Sequence, residues 1–352
     1  MKKIQIASTT VILSALIGTG IYYYFLNKSI KQNPIETKVA HLECLGDDEV
    51  ADFPINEYYS NEYFKYPKFP VVIYVKDKKT NKEKFHFQID NVFENDRPIE
   101  IYKCGIYVIR EFNYNPKIRK QKPGYSVELW KYNYGQSAKK LLTLSETNPQ
   151  GLFVGNYSYD FRIDPQEIYV SLEYSYSGKE DYALVIKNFN NNTDDFVLSR
   201  QSLSEKHPEF LGYFGLSVWT KNGSYFWARL FAGAYTEAFL RIARDSWNVD
   251  VFPVPDGVLG GTALNVDKGY VTQLPGHVWT GIDVVTEEIK KELIKQGKIS
   301  QLYLFNLLSR NRILLATTTE PLWNFKPHWF SDNQLQYEMP SGEKKIYIIN
   351  EK

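Results

Sequence analysis

The side chains able to do chemistry in this sequence are scattered. Its five histidines, His41, His86, His207, His277 and His328, include no pair at metal-ligand spacing on one element, so neither a metal nor another cofactor is expected. His86 and His328 fall in or beside strands and read as hydrogen-bonded structural histidines. No Gly-x-Ser-x-Gly elbow and no Gly-rich loop ending in Lys-Ser/Thr is present, which closes the sequence-local routes to a serine hydrolase or a nucleotide hydrolase. A glycosidase needs two carboxylates about 5 to 10 Å apart, and no spacing selects a pair from 41 acids. Asp164, Asp267 and Asp332 recur at turn tips, where an aspartate bonds its own backbone. No residue is therefore nominated as catalytic.

Two other groups of side chains invite a reading. Cys44 and Cys104 are the only cysteines; in an exported domain they could pair, and otherwise they are two separate thiols. The aromatic groups Trp219, Phe226 and Trp227, and Trp323, Phe325, Trp329 and Phe330, offer ring faces for a glycan or peptide, while packing of a core accounts for them equally well.

The elements that position these residues are mostly strands. Aromatics make up 16% of the chain, with 27 Tyr and 21 Phe, and such residues favour pleated, half-buried surfaces. Val71–Val75, a polar turn from Asp77 to Lys82, and Phe85–Ile89 spell a hairpin. A two-strand unit then recurs: Ile99–Lys103 with Ile106–Phe112, Tyr159–Ile163 with Ile168–Tyr174, Leu216–Trp219 with Tyr225–Leu230, Thr262–Val266 with Tyr270–Leu274, and His328–Phe330 with Leu335–Met339. Third and fourth strands follow most copies, as in Ser126–Tyr132 with Lys140–Leu144, Tyr182–Lys187 with Phe196–Leu198, and Ala238–Ala243 with Val249–Phe252. Four strands and a fresh start make a propeller blade.

The turns of these units resemble degenerate forms of the W-S-P-D-G-x-x-I-x-Y signature of TolB-like and WD-repeat-like β-propellers. The run from Pro327 to Tyr337, with Trp329-Phe330-Ser331-Asp332-Asn333 at its centre, is the nearest copy, and Trp219-Thr220-Lys221-Asn222-Gly223 is next. The resemblance covers about residue 99 to the C-terminus and implies an all-β propeller of about five four-stranded blades. An N-terminal strand would complete the last blade, or the 71–89 hairpin would found a sixth. A pair of packed sheets, a β-sandwich, is the alternative.

One helix interrupts the strands. Val285, Ile289 and Leu293 repeat at helical spacing, Glu287 stands four before Lys291 and Gly297 stops the run. The pattern predicts a helical insertion at about 283–297, its apolar stripe either covering a sheet edge or docking a partner.

At the N-terminus, Lys2 and Lys3 precede an uncharged run from Ile4 to Leu26, long enough as a helix to span ~30 Å of hydrocarbon, with Tyr22, Tyr23 and Tyr24 at its far end. This predicts a single-pass anchor at 1–27 with the N-terminus cytoplasmic, or a cleaved signal peptide. Residues 28–69, with their Tyr58–Tyr66 run, read as a tether or arm, and 70–352 as the extracytoplasmic β domain. Lys+Arg 42 against Asp+Glu 41 leaves a net charge of +1, so no field gathers nucleic acid. The expectation is a membrane-anchored binding or scaffolding module whose partner is a protein or an envelope polymer. The alternative is an envelope glycan hydrolase with carboxylates at the mouth of the propeller channel.

Overall fold

The computed structural model describes residues 44–53, 70–93, 99–115, 120–134, 137–147, 153–155, 157–175, 182–210, 212–232, 235–259, 263–274 and 286–350. The expected Ile4–Leu26 anchor, Val285 and the Tyr58–Tyr66 run lie outside them. No helix among the described residues is long and apolar enough to cross a membrane.

Among the described residues, six antiparallel sheets follow one another along the chain. Sheet I holds β1 (Glu49–Asp52), β2 (Val71–Asp77) and β3 (Glu83–Ile89). Sheet II holds β4 (Ile99–Tyr102), β5 (Gly105–Asn115), β6 (Lys120–Tyr132), β7 (Ala138–Thr147) and β8 (Phe153–Gly155). Sheet III holds β9 (Tyr157–Ile163), β10 (Tyr169–Ser175), β11 (Tyr182–Asn188) and β12 (Thr193–Ser199), after which comes the short helix α1 (Arg200–Lys206). Sheet IV is β13 (Tyr213–Trp219), β14 (Tyr225–Ala232), β15 (Tyr235–Ala243) and β16 (Val249–Leu259). Sheet V is β17 (Leu264–Asn265), β18 (Tyr270–Gln273), β19 (Ser300–Asn306) and β20 (Arg312–Thr318), with α2 (Glu287–Lys295) between β18 and β19. Sheet VI is β21 (His328–Ser331), β22 (Gln334–Glu338) and β23 (Lys344–Ile348).

Within each sheet the strands are hydrogen-bonded in chain order, so every sheet is a meander. All five two-strand units expected from the sequence are present, as β4–β5, β9–β10, β13–β14, β17–β18 and β21–β22. The 71–89 hairpin pairs with β1 in a sheet of its own, and sheet VI stays three-stranded. Among the described residues neither strand of the hairpin pairs with sheet VI, so an N-terminal strand does not complete the last sheet and the other expected outcome, a hairpin with a sheet of its own, holds. The stretch read as a tether contributes β1.

The cores lie between consecutive sheets. Tyr107, Ile109, Val127 and Leu129 of sheet II pack on Phe161, Ile163, Val170 and Leu172 of sheet III. Leu184 and Ile186 of sheet III meet Phe226, Ala228 and Leu230 of sheet IV. Trp227 and Phe239, on the other face of sheet IV, meet Val271 and Phe305 of sheet V. Leu302 of sheet V packs with Phe325 and Tyr337 at sheet VI. Side chains alternate across a strand, so Phe226 and Trp227 serve opposite cores. That is why a central strand such as β11 can be apolar without a break, as in Ala183-Leu184-Val185-Ile186. It also sets aside the β-sandwich, in which two sheets would share one core. Each buried Leu, Ile, Val or Phe in these cores adds roughly 1.5–3 kcal/mol.

Candidate functional site

Among the described residues, the turns that join the first two strands of sheets II to VI carry polar side chains that bond across from one sheet to the next. Asp164, wholly buried, shows how one is built: its Oδ1 accepts from the backbone N–H of Ile168 and of Tyr169, both at 2.6 Å, and Oδ2 from that of Gln166 at 3.1 Å. The aspartate fixes its own turn, as its position in the sequence suggested. It also reaches outward, because Arg244, in the β15–β16 turn of sheet IV, places Nη2 3.1 Å from Oδ2. The same guanidinium stacks over the ring of Tyr169 at 5.0 Å.

The neighbouring turns are joined in like manner. Glu167 accepts from the N–H of Cys104 at 2.6 Å and from the hydroxyl of Tyr107 at 2.9 Å, and pairs with Lys131 at 3.1 Å, which binds sheet III to sheet II. Lys221 donates its backbone N–H to Asp267 at 2.9 Å and its ammonium to Asp332, tying sheet IV to sheets V and VI. Asn265 donates to the carbonyl of Asp332 at 2.9 Å. Asp267 and Asp332 therefore hold other turns, where the sequence suggested that they hold their own.

Two hollows open among these tips. One, of about 500 Å³, is lined by Gln166, Asn222, Ser224, Tyr225, Arg244 and Asp245. The other, of about 610 Å³, is lined by Lys221, Lys268, Ser331, Asp332 and Asn333. The Lys221–Ser224 turn is the ridge between them. Nη1 of Arg244 is buried with no hydrogen-bond partner among the described residues, leaving one strong donor beside the first hollow. The walls present amides, hydroxyls, cations and carboxylates, a mixture that matches hydroxyl-rich ligands better than apolar ones.

A second polar cluster lies on the first strands of sheets II, III and IV. Arg162 of β9 donates Nε to the carbonyl of Ser217 on β13 at 2.7 Å, grips Asp160 with both terminal nitrogens and lies 3.7 Å from Glu100 of β4. Burial raises the Glu100 carboxyl above its ordinary range, with the Arg162 charge opposing. Burial, helped by the nearby Asp160 charge, pushes Glu173 on β10 up to about 7, against a hydrogen bond from the Leu216 N–H. Burial and the Glu100 charge also raise the Tyr102 hydroxyl, which donates to Glu100 at 3.0 Å. None of these residues stands out in the sequence, because their partners come from three sheets.

The residues singled out from sequence are dispersed. Trp219 and Trp227 are buried in the cores on opposite faces of sheet IV and offer no ring face to a ligand, so packing accounts for them. Trp323 is partly buried, donates Nε1 to the carbonyl of Glu338 at 2.8 Å and carries the Lys326 ammonium 5.8 Å from its ring. Trp329 is half-buried on β21, and its neighbour Phe330 is, among the described residues, the most open of the large apolar side chains, at 70% exposed. Cys44 and Cys104 form a disulfide. Helix α2 starts at the N-cap Thr286 and ends before Gly297, and Ile289 and Leu293 on it are only half-buried. No group of three or more potential metal ligands occurs among the described residues.

Neither a family model nor a curated relative matches the sequence. Solved structures with a similar chain path include the β-propeller domain of the Trilobed protease from Pyrococcus furiosus, at 10% identity and TM-score 0.43, covering 88% of this chain and 81% of that one. Oligogalacturonate lyase from Vibrio parahaemolyticus is similar at 11% identity and TM-score 0.43, covering 79% and 74%. TolB from Acinetobacter baumannii is similar at 10% identity and TM-score 0.31, covering 85% and 79%. The first of these is a β-propeller domain, and at these identities and scores the likeness is one of chain path that says nothing of activity.

Proposed function

We propose that this chain is a membrane-anchored, extracytoplasmic β-propeller of six blades that acts as a binding module, its turn-tip face taking a hydroxyl-rich envelope polymer. The observation that carries the reading is the pair of polar hollows set among turns that are bonded to one another across sheets III to VI. Such a surface is pre-organised, so little ordering is lost when a ligand settles on it. The Cys44–Cys104 disulfide supports an oxidising compartment, and the uncharged Ile4–Leu26 run supports the anchor.

The test is co-sedimentation of the full chain with insoluble envelope polysaccharide, comparing the natural protein with a Gln166→Ala, Asn333→Ala double variant. Both side chains are exposed at the hollows. Retention by the natural protein and a loss of ~tenfold in the variant support the reading, being the scale of two lost polar contacts. Equal retention of both, or of neither, sinks it.

A hydrolase reading has one observation of its own: Glu173, beside the Arg162–Asp160 pair, is pushed up to about 7, and a carboxyl that holds its proton near neutral pH is what glycoside cleavage needs as its acid. Release of reducing ends by the natural protein, abolished in Glu173→Gln, would establish it.

A further inference from the structure

The end of sheet IV remote from the turn tips carries a cavity of a different character. Strand β14 leaves the Lys221–Ser224 turn and runs away from it to Ala232, and there, between the chain entering β13, the start of β15 and the middle of β16, lies a space of about 500 Å³. Phe210 and Val254, both buried, and Pro253 make its apolar walls, while Glu209, Tyr235 and Glu237 bring polar groups to it.

Glu237 is placed there by an irregularity in the sheet. Towards β14 the register jumps from Leu230↔Ala238 to Phe231↔Thr236, and towards β16 from Thr236↔Val258 to Ala238↔Pro253. Glu237 thus has no partner on either side: towards β14 it is the extra, bulged residue, and towards β16 it stands opposite residues 254–257, which the register skips. A bulge re-aims a side chain, and bulges gather next to functional sites. Pro253, opposite Ala238, has no N–H to offer the bulge. The result is a carboxylate whose Oε2 is shut from solvent and has no hydrogen-bond partner among the described residues. Leaving a buried carboxylate oxygen without a donor is costly, and a core strand filled by an apolar residue at this position would avoid that cost.

We propose that this cavity binds a primary ammonium carried on an aliphatic stem, whether the side chain of a lysine in a peptide or a free alkylamine. The stem lies against Phe210, Pro253 and Val254. The ammonium pairs with the Glu237 carboxylate in the wall, and Glu209 adds a second negative charge at the rim while sharing a 3.4 Å contact with His207. A planar guanidinium asks for two acceptors in one plane; a compact ammonium needs only one, which suits a carboxylate with one oxygen shut from solvent. The site stands apart from the turn-tip face and does not depend on that face binding anything.

The test is calorimetric titration of the full chain with 1-aminohexane, with 1-hexanol as its uncharged counterpart, and with Nα-acetyl-lysine methylamide. Saturable binding of an amine, with hexanol at least ~tenfold weaker, is expected, as befits a hydrogen bond to a charged group. Glu237→Gln should weaken amine binding ~tenfold or more with no fall in the melting transition, and Val254→Phe should abolish binding by filling the space. Tighter binding of the lysine derivative than of aminohexane assigns the site to a peptide, and the reverse order assigns it to a free amine. Equal affinity for hexanol and aminohexane, undiminished binding in Glu237→Gln, or no binding of either amine overturns the proposal.

Discussion

Asp164 and Arg244 meet at 3.1 Å across the boundary between sheets III and IV, and the carboxylate in that pair has no exposure to solvent. Three backbone N–H groups of its own turn share the same two oxygens. One side chain therefore shapes a turn, holds the next sheet and sets the wall of the first hollow. Removing it leaves Arg244 buried without its counter-charge and three donors unpaired. Asp164→Ala should cost ~3–5 kcal/mol of stability, the range for breaking a buried pair from one side. Asp164→Asn, which keeps an acceptor for the turn, should cost less. Urea denaturation of the three proteins checks the order.

Gly223 stands over the same guanidinium. Its φ is +70°, and a Cβ there would lie 3.1 Å from Nη1 of Arg244. Gly223→Ala should destabilise by about 1–2 kcal/mol, the scale for an L side chain in left-handed backbone. Part of the loss comes from the displaced guanidinium, so it should shrink when Arg244 is first replaced by Lys. A double-mutant cycle measures that coupling.

Much of this was legible in the sequence, and the reasons for the remainder are physical. The two-strand units could be read because Asp164-Pro165-Gln166 and Lys221-Asn222-Gly223 are turn-formers set between apolar runs. β1 could not, since Glu49-Val50-Ala51-Asp52 carries too little pattern and is held by its pairing with β2. The partners at the turn tips are separated by as many as 111 residues, as Lys221 and Asp332 are, and no local spacing encodes that. The tryptophans illustrate the limit best. Trp219 and Trp227 look alike in sequence to Trp323 and Trp329, and only the stacking of sheets on both faces of sheet IV decides that the first two are core. Glu237, the key residue of the second cavity, gives no signal at all, because what distinguishes it is a register shift.

Glu173 predicts a pH dependence. Its carboxyl, ordinarily at 4.5, is pushed up to about 7 in the folded protein, so the folded state holds the proton more tightly than the unfolded one. Its contribution favours the fold below pH ~4.5 and is lost as the pH rises through about 7, by up to ~3 kcal/mol. Glu100, raised in the same direction, adds to the trend. Glu173→Gln removes the charge but keeps an acceptor for the Leu216 N–H. The variant should be more stable than the natural protein at pH 8 and no more stable at pH 4, which paired denaturation curves at the two pH values will show.

The disulfide ties the fold to the compartment. Cys44 and Cys104 lie 60 residues apart in sequence, and the flanking backbone continues the join: the Leu45 N–H donates to the Lys103 carbonyl at 2.7 Å. Closing a loop of that length restricts the unfolded chain by ~4 kcal/mol in the chain-entropy model. Cys104→Ser, or reduction, should therefore lower stability by ~2–4 kcal/mol and loosen the start of sheet I from the β4–β5 turn. A cytoplasmic domain would be kept reduced, since the thiol pool there resists such bonds. Trapping free thiols with a maleimide of known mass during cell lysis decides the matter. An unlabelled chain that takes up two labels only after reduction agrees with an exported domain, and a chain labelled twice at once would place the domain in the cytoplasm and remove the ground for an envelope ligand.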